Sequence, residues 1–366
     1  MNHTAFCVLS FAVFSSVASA QTRPAIPPSE KNFFIGAPAG WVPPKTPWGD
    51  PDLQGIWPLN YVGSTPLQRC SGPTRPGAPA CDPHKEFLTE QEFTTLQANA
   101  SDRREISYAA AVKEGEAGRA FLAGVTDPTT PQRQTSLIFD PPDGRLPEMT
   151  PEGKRLAAGM KSSWALPGEN LVFDSYRDFD LWDRCLTRGM PVSMFPFRYN
   201  NGVQIIQAPG QVTILMEMIH DARIVPLNGN APVSAAVKQW MGVSRGHWEG
   251  STLVVESANF RAGASQTNTA VIASPPGNRF PTSEQMKITE KFTRINDRFL
   301  IYEIKTEDPV VLTHSWTARF PLRLDPDYKL LEYTCHEDNR VIGDWISVSR
   351  AERSGKAGAK AAPPQR

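Results

Sequence analysis

Between Gly202 and Phe260 apolar and polar side chains alternate with the two-residue period of a β-strand. In Gly202–Pro226 (GVQIIQAPGQVTILMEMIHDARIVP) two apolar runs flank Pro209-Gly210, a turn signal that predicts a β-hairpin. Strand side chains alternate between faces. A regular strand therefore puts Val212, Ile214, Met216, Met218, His220, Ala222 and Ile224 on one side, and Thr213, Leu215, Glu217, Ile219, Asp221 and Arg223 on the other. A single bulge would exchange the faces. A second hairpin is expected in Gly246–Phe260 (GHWEGSTLVVESANF), turning at Glu249-Gly250-Ser251.

From Val203 to Trp345 the pattern predicts strands at 203–208, 211–220, 222–227, 247–250, 252–258, 286–295, 298–306, 310–320, 328–336 and 341–347. Asn296-Asp297, Asp308-Pro309 and Asp325-Pro326-Asp327 supply turns between them. Short strands and tight turns without alternating helices predict a mainly β chain, an antiparallel β-barrel or sandwich. The N-terminal portion is irregular and partly helical. Thr89 and Glu92 form a capping-box pattern for a helix from Glu90 to about Ala111. Thr150 caps a second helix, with Pro151 at its first position, running to about Lys161. Between them a short strand at 134–139 runs into the turn Pro141-Pro142-Asp143-Gly144. Gly55-x-Trp57 at the entry to a strand resembles the first strand of lipocalin-like barrels, where the aromatic ring plugs one end.

The first residues change the setting. An apolar run from Ala5 to Val17 precedes Ala18-Ser19-Ala20, the pattern of a secretory signal cleaved after Ala20. About 13 apolar residues are too few for a membrane span, which takes roughly 20. The expected organisation is a signal at 1–20, an extended Pro-rich leader at 21–52, one β-rich domain at 53–350 with helical insertions at about 89–111 and 150–161, and a disordered tail at 351–366. The destination is the periplasm or the medium. Cys7 leaves with the signal, and Cys70, Cys81, Cys185 and Cys335 remain. In an oxidising compartment they suggest two disulfides, with proximity favouring Cys70–Cys81 and hence Cys185–Cys335; buried free thiols are the alternative. With 40% hydrophobic residues the chain can build a core, and 38 basic against 38 acidic residues leave no global field that favours nucleic acid or an anionic membrane.

The runs T-P-W-G-D-P-D-L-Q-G-I-W, T-S-L-I-F-D-P-P-D-G-R, D-R-C-L-T-R-G, Q-I-I-Q-A-P-G-Q-V, E-M-I-H-D-A-R-I-V-P-L, S-R-G-H-W-E-G-S-T-L-V-V-E-S and E-Y-T-C-H-E are together similar to a family of exported proteobacterial proteins of unassigned function. The resemblance covers most of the mature chain. It implies a periplasmic β-barrel-like domain and names no substrate.

Five histidines survive cleavage, and His220 is the most suggestive because its stripe is otherwise apolar. On the inner wall of a barrel it would serve as a general base, its pKa lowered by the pocket; the other reading is a core histidine bonded to one carbonyl. Glu290 shares a face with Met286, Ile288 and Phe292, and is read either as the acid/base partner of His220 or as the buried partner of an arginine such as Arg294 or Arg245. Asp221 and Arg223 form a surface ion pair if the strand is regular and join His220 in one pocket if it bends there. Tyr333 is a supporting catalytic candidate. Glu217, Met218, Arg184, Asn200 and His336 are candidates for binding substrate, the arginine as a bidentate carboxylate clamp alongside Arg188 and Arg198. A metal held by His220, His336 and Glu217 or Glu337 has no supporting motif spacing. The expectation is a cofactor-independent lyase, isomerase or hydrolase acting on a small molecule, with neither nucleic acid nor a membrane span involved. The alternative is a periplasmic barrel, binding or structural, for a hydrophobic ligand.

Overall fold

The computed structural model describes residues 37, 40–71, 80–98, 132–161, 163, 169, 171–197, 199–227, 233–262, 280–337 and 339–355. All of them belong to one compact unit, Phe33–Arg366. The signal segment, the end of the helix expected to reach Ala111, Arg198 and the C-terminal tail from 356 lie outside the described residues.

Ten strands are described: β1 (Gly55–Ile56), β2 (Ile138–Asp140), β3 (Val203–Ala208), β4 (Gln211–Met216), β5 (Ala222–Pro226), β6 (Val243–Glu249), β7 (Thr252–Ala258), β8 (Lys287–Arg294), β9 (Phe299–Glu307) and β10 (Trp316–Arg323). They form two antiparallel sheets, in the orders β1-β3-β4-β5 and β2-β10-β9-β8-β7-β6. The described strands form no closed barrel. Ile205, Val212, Ile214 and Val225 from the first sheet share one core with Leu253, Val255, Ile288, Phe292, Ile304 and Phe320 from the second, so the arrangement is that of a sandwich. Burial of alternate positions along each strand is the contribution that drives this layering.

The local signals act as their chemistry predicts. Gly210 and Gly250 take positive φ at the two hairpin turns, where a side chain would be strained. A helix begins at 90 (α1, described over 90–98), with Thr89 N–H donating to Glu92 Oε2 at 2.8 Å. Helix α2 (Pro151–Gly159) starts with Gly153 N–H donating to Thr150 Oγ1 at 2.9 Å. Trp57 is fully buried and donates to the Leu53 carbonyl, while Leu53 N–H reaches Gln207 Oε1 at 2.7 Å. The T-P-W-G-D-P-D-L run is thus a clasp on β3. Disulfides join Cys70 to Cys81 and Cys185 to Cys335.

Three expectations are corrected. The stretch 341–347 is not a strand but the start of helix α3 (Val341–Arg353), whose Trp345 packs edge-on against Phe173 at 5.4 Å. Its apolar alternation has no ladder to join, whereas Arg350 and Arg353 in the last turn suit a helix C-terminus. The stretch 328–336 is irregular: Tyr328 N–H donates to Asp325 O within a turn, and Leu331 N–H and Tyr328 OH donate to the Glu217 carboxylate rather than to a strand ladder. The third concerns the stripe through His220. Strand β4 ends at Met216, and β5 resumes with Leu215 opposite Ala222 and Ile214 opposite Arg223. Arg223 and Val225 therefore face the core, and Ala222 and Ile224 face out.

Candidate functional site

The reversal originates in the β4–β5 connection. Glu217 caps a single 3-10 turn, Met218–His220, within which Ile219 and His220 both take left-handed backbone, φ 60° and 47°. Such a conformation costs about 1–2 kcal/mol per L-residue and is an outlier for a β-branched side chain. Surrounding contacts impose it. Met216 N–H donates to the Asp221 carbonyl at 2.8 Å and His220 N–H to that of Glu217 at 3.1 Å, closing the loop. The Glu217 carboxylate accepts from Asn200 Nδ2 (3.1 Å), Gly202 N–H (2.8 Å), Tyr328 OH (2.7 Å) and Leu331 N–H (2.8 Å). Burial, then Glu217, push the Tyr328 phenol well above its ordinary range. Met218 and Ile219 bury against Trp182, with Phe197, Tyr199 and Tyr333 packed around them.

With its neighbours pinned, His220 has one way to go. It is exposed, and its ring stands 6.4 Å from that of His336 in an edge-to-face arrangement. Asp221 is half-buried and accepts from Thr187 Oγ1 at 2.6 Å. Burial pushes its carboxyl above the ordinary range, opposed by the Thr187 hydrogen bond and by the charge of His220. The Cys185–Cys335 bond ties the strand-free segments carrying Thr187 and His336 to each other. Asn339 reinforces the tie by donating to Asp183 O at 3.2 Å. Tyr333 OH accepts from Trp182 Nε1 at 3.1 Å, and the Tyr199 and Tyr333 rings lie within 14° of parallel, centroids 6.5 Å apart.

The structure thus gathers His220 and His336, with Asp221 next in the chain, at the β4–β5 connection; Met218 and Tyr333 belong to the apolar cluster around Trp182, and Asn200 donates to Glu217. It separates the remaining candidates. Glu290 is fully buried between the sheets and accepts from Arg223 Nη1 (2.9 Å), Arg223 Nη2 and Tyr302 OH (2.8 Å). Arg223 Nη2 also donates to Ser244 and Ser257, each at 3.1 Å. Burial lowers the guanidinium pKa, yet Glu290 more than restores it, so the net shift is upward; burial and Glu290 together raise the Tyr302 phenol well above its usual value. The expected His220–Glu290 couple is therefore not formed: one group is at the surface and the other is saturated inside the core. Nor do His220, Asp221 and Arg223 converge, because the bend sends Arg223 inward. Glu217 is a fully hydrogen-bonded staple, with no lone pair directed at a ligand. Arg184 lies over the Tyr176 ring at 5.1 Å. Arg188 is buried over Trp182 (5.0 Å) and Phe197 (5.5 Å) and donates to Phe195 O, and burial lowers it to about 10.

Sequence reasoning missed Thr187 and Trp182, which lie within or beside the D-R-C-L-T-R-G run; their neighbour Cys185, through its pairing with Cys335, was the available pointer. Among the described residues no group of three or more His, Cys, Asp or Glu is placed to hold a metal ion. No helix among the described residues is long and apolar enough to cross a membrane. Comparison with known proteins places the chain in no family: no family model, no curated protein and no solved structure matches it.

Proposed function

We propose that this chain is an exported, cofactor-independent enzyme of the lyase, isomerase or hydrolase type, acting on a small molecule at the β4–β5 connection. His220 is the proton-transfer group. His336 stands across from it, and Asp221 supplies the adjacent carboxyl. The observation that carries the reading is the pair of left-handed residues Ile219 and His220. Backbone held in a costly conformation by its surroundings concentrates at functional sites, and here the strain aims an imidazole at solvent beside a second imidazole. Two disulfides, the apolar run before Ala20 and the resemblance to exported proteobacterial proteins support a periplasmic or secreted location. The chemistry sits at the end of the sandwich, with no part assigned to a lipocalin-like interior.

The second reading is a module that only binds a hydrophobic ligand, favoured by the aromatic cluster of Trp182, Phe197, Tyr199 and Tyr333 packed around Met218 and Ile219. One experiment separates the two. The mature protein is incubated with a metabolite extract of the producing cells, and the extract is compared by mass spectrometry before and after. An enzyme consumes a compound and forms a product, and His220→Ala, folded by circular dichroism, abolishes the conversion. A compound retained unchanged by the protein supports the binder. Conversion by His220→Ala at the wild-type rate rejects the assignment of His220.

A further inference from the structure

The described residues between 332 and 339, which include His336, belong to no strand or helix. Among the described residues, every hydrogen bond that leaves this segment reaches one short run, 182–185. Trp182 Nε1 donates to Tyr333 OH at 3.1 Å, and Asn339 Nδ2 donates to Asp183 O at 3.2 Å and to Cys185 Sγ at 3.1 Å. The Cys185–Cys335 bond is the covalent part of the same tie, with Cα atoms 5.6 Å apart. Glu337 N–H turns back to Thr334 O inside the segment. His336 follows Cys335 directly and is exposed, with its ring 6.4 Å from that of His220. Its place opposite His220 therefore depends on the bond beside it, with neither a strand ladder nor a core to hold it.

We infer that the Cys185–Cys335 bond is a redox switch on the candidate site: a dithiol reductant opens it, and His336 then leaves its place opposite His220. The effect on activity rests on the proposed role of the two histidines; the release of His336 does not. Cys185 and Cys335 are both half-buried, so neither is sealed in the core. The hydrogen bond from Asn339 to Cys185 Sγ strengthens once that sulfur carries charge, which makes Cys185 the leaving group. A thiolate of the reductant attacks Cys335 Sγ; the disulfide breaks, and its electron pair leaves with Cys185 as a thiolate. The second thiol of the reductant then attacks its own sulfur in the mixed disulfide and displaces Cys335. The reductant ends as an internal disulfide, two electrons pass to the protein, and the two thiol protons end on Cys185 and Cys335. The site is thus assembled only where disulfides persist.

Wild-type mature protein is treated with dithiothreitol in the absence of denaturant and alkylated, and the modified cysteines are located by peptide mapping. Circular dichroism follows the fold, and NMR follows the histidine ring protons, the His336 signal being identified by its absence in His336→Gln. Cys185 and Cys335 should both be alkylated while the circular dichroism is unchanged. The His336 signal should narrow and move to the position of a histidine in an unfolded peptide, and oxidised glutathione should restore it. Conversion of the compound that wild type consumes should fall by at least about tenfold on reduction and recover on reoxidation. The proposal fails if the two sulfurs are alkylated only after the protein unfolds, if the His336 signal stays as in the oxidised protein once they are alkylated, or if conversion is unchanged after His336 is released. The His336 signal is read with no substrate present, so a switch that fails is distinguishable from wild-type conversion by His220→Ala, which rejects the assignment of His220 instead.

Discussion

The buried Arg223–Glu290 pair offers the sharpest test of the physical account. Glu290 is completely buried and receives three hydrogen bonds, two from Arg223 and one from Tyr302. Glu290→Leu leaves the guanidinium with only the Ser244 and Ser257 hydroxyls and leaves the Tyr302 hydroxyl without its acceptor. Breaking a buried pair from one side costs about 3–5 kcal/mol, and an orphaned buried hydroxyl adds about 1–3 kcal/mol. A domain holds about 5–15 kcal/mol in total, so this variant approaches the limit of folding. Arg223→Met should lose about 3–5 kcal/mol for the same reason, with the carboxylate as the stranded charge. The pair itself contributes little net stability, because both charges are desolvated and Arg223 Nε has no hydrogen-bond partner among the described residues. The triple variant R223M/E290L/Y302F is therefore expected within about 2 kcal/mol of wild type. Urea denaturation of the disulfide-intact protein, followed by tryptophan fluorescence, measures each variant. Single variants that lose under about 1 kcal/mol, or a triple variant that loses the sum of the Glu290 and Arg223 singles, roughly 7–13 kcal/mol, would refute the reasoning.

Three further outcomes are expected. At His220 a glycine relieves left-handed strain that alanine keeps, so His220→Gly should be more stable than His220→Ala by about 1 kcal/mol in the same urea assay, while both lack the proposed activity. Asp221 has a raised carboxyl, so the folded state binds more protons than the unfolded state between the ordinary aspartate pKa and the folded value. Stability is lost as pH rises through that window, and Asp221→Asn, which keeps an acceptor for Thr187, should be the more stable protein at neutral pH and equal to wild type below the ordinary pKa. A wild-type advantage at neutral pH would contradict this. Replacing Cys185 and Cys335 by serine opens a loop of 150 residues, and the chain-entropy estimate is a loss of roughly 4–5 kcal/mol of unfolding free energy. An unchanged urea midpoint would show that the bond constrains nothing in the unfolded chain.

What could be read from the chain without coordinates was whatever depends on near neighbours. Pro209-Gly210 and Glu249-Gly250-Ser251 specify their hairpins because a turn needs only a few residues of the right φ preference. Thr89 and Thr150 specify helix starts because a cap is satisfied within three residues. The disulfide pairing followed from having four cysteines and one short separation. The tertiary structure decided the rest, since alternation predicts faces only while a strand stays regular. The bend at Ile219 and His220 depends on Glu217 reaching Asn200, Tyr328 and Leu331, and nothing local announces those partners. That bend turned His220 out to His336 and Arg223 in to Glu290. Burial of an ion is tolerated only where a counter-charge from another strand meets it, so the partner of Glu290 was settled when the two sheets closed over one core.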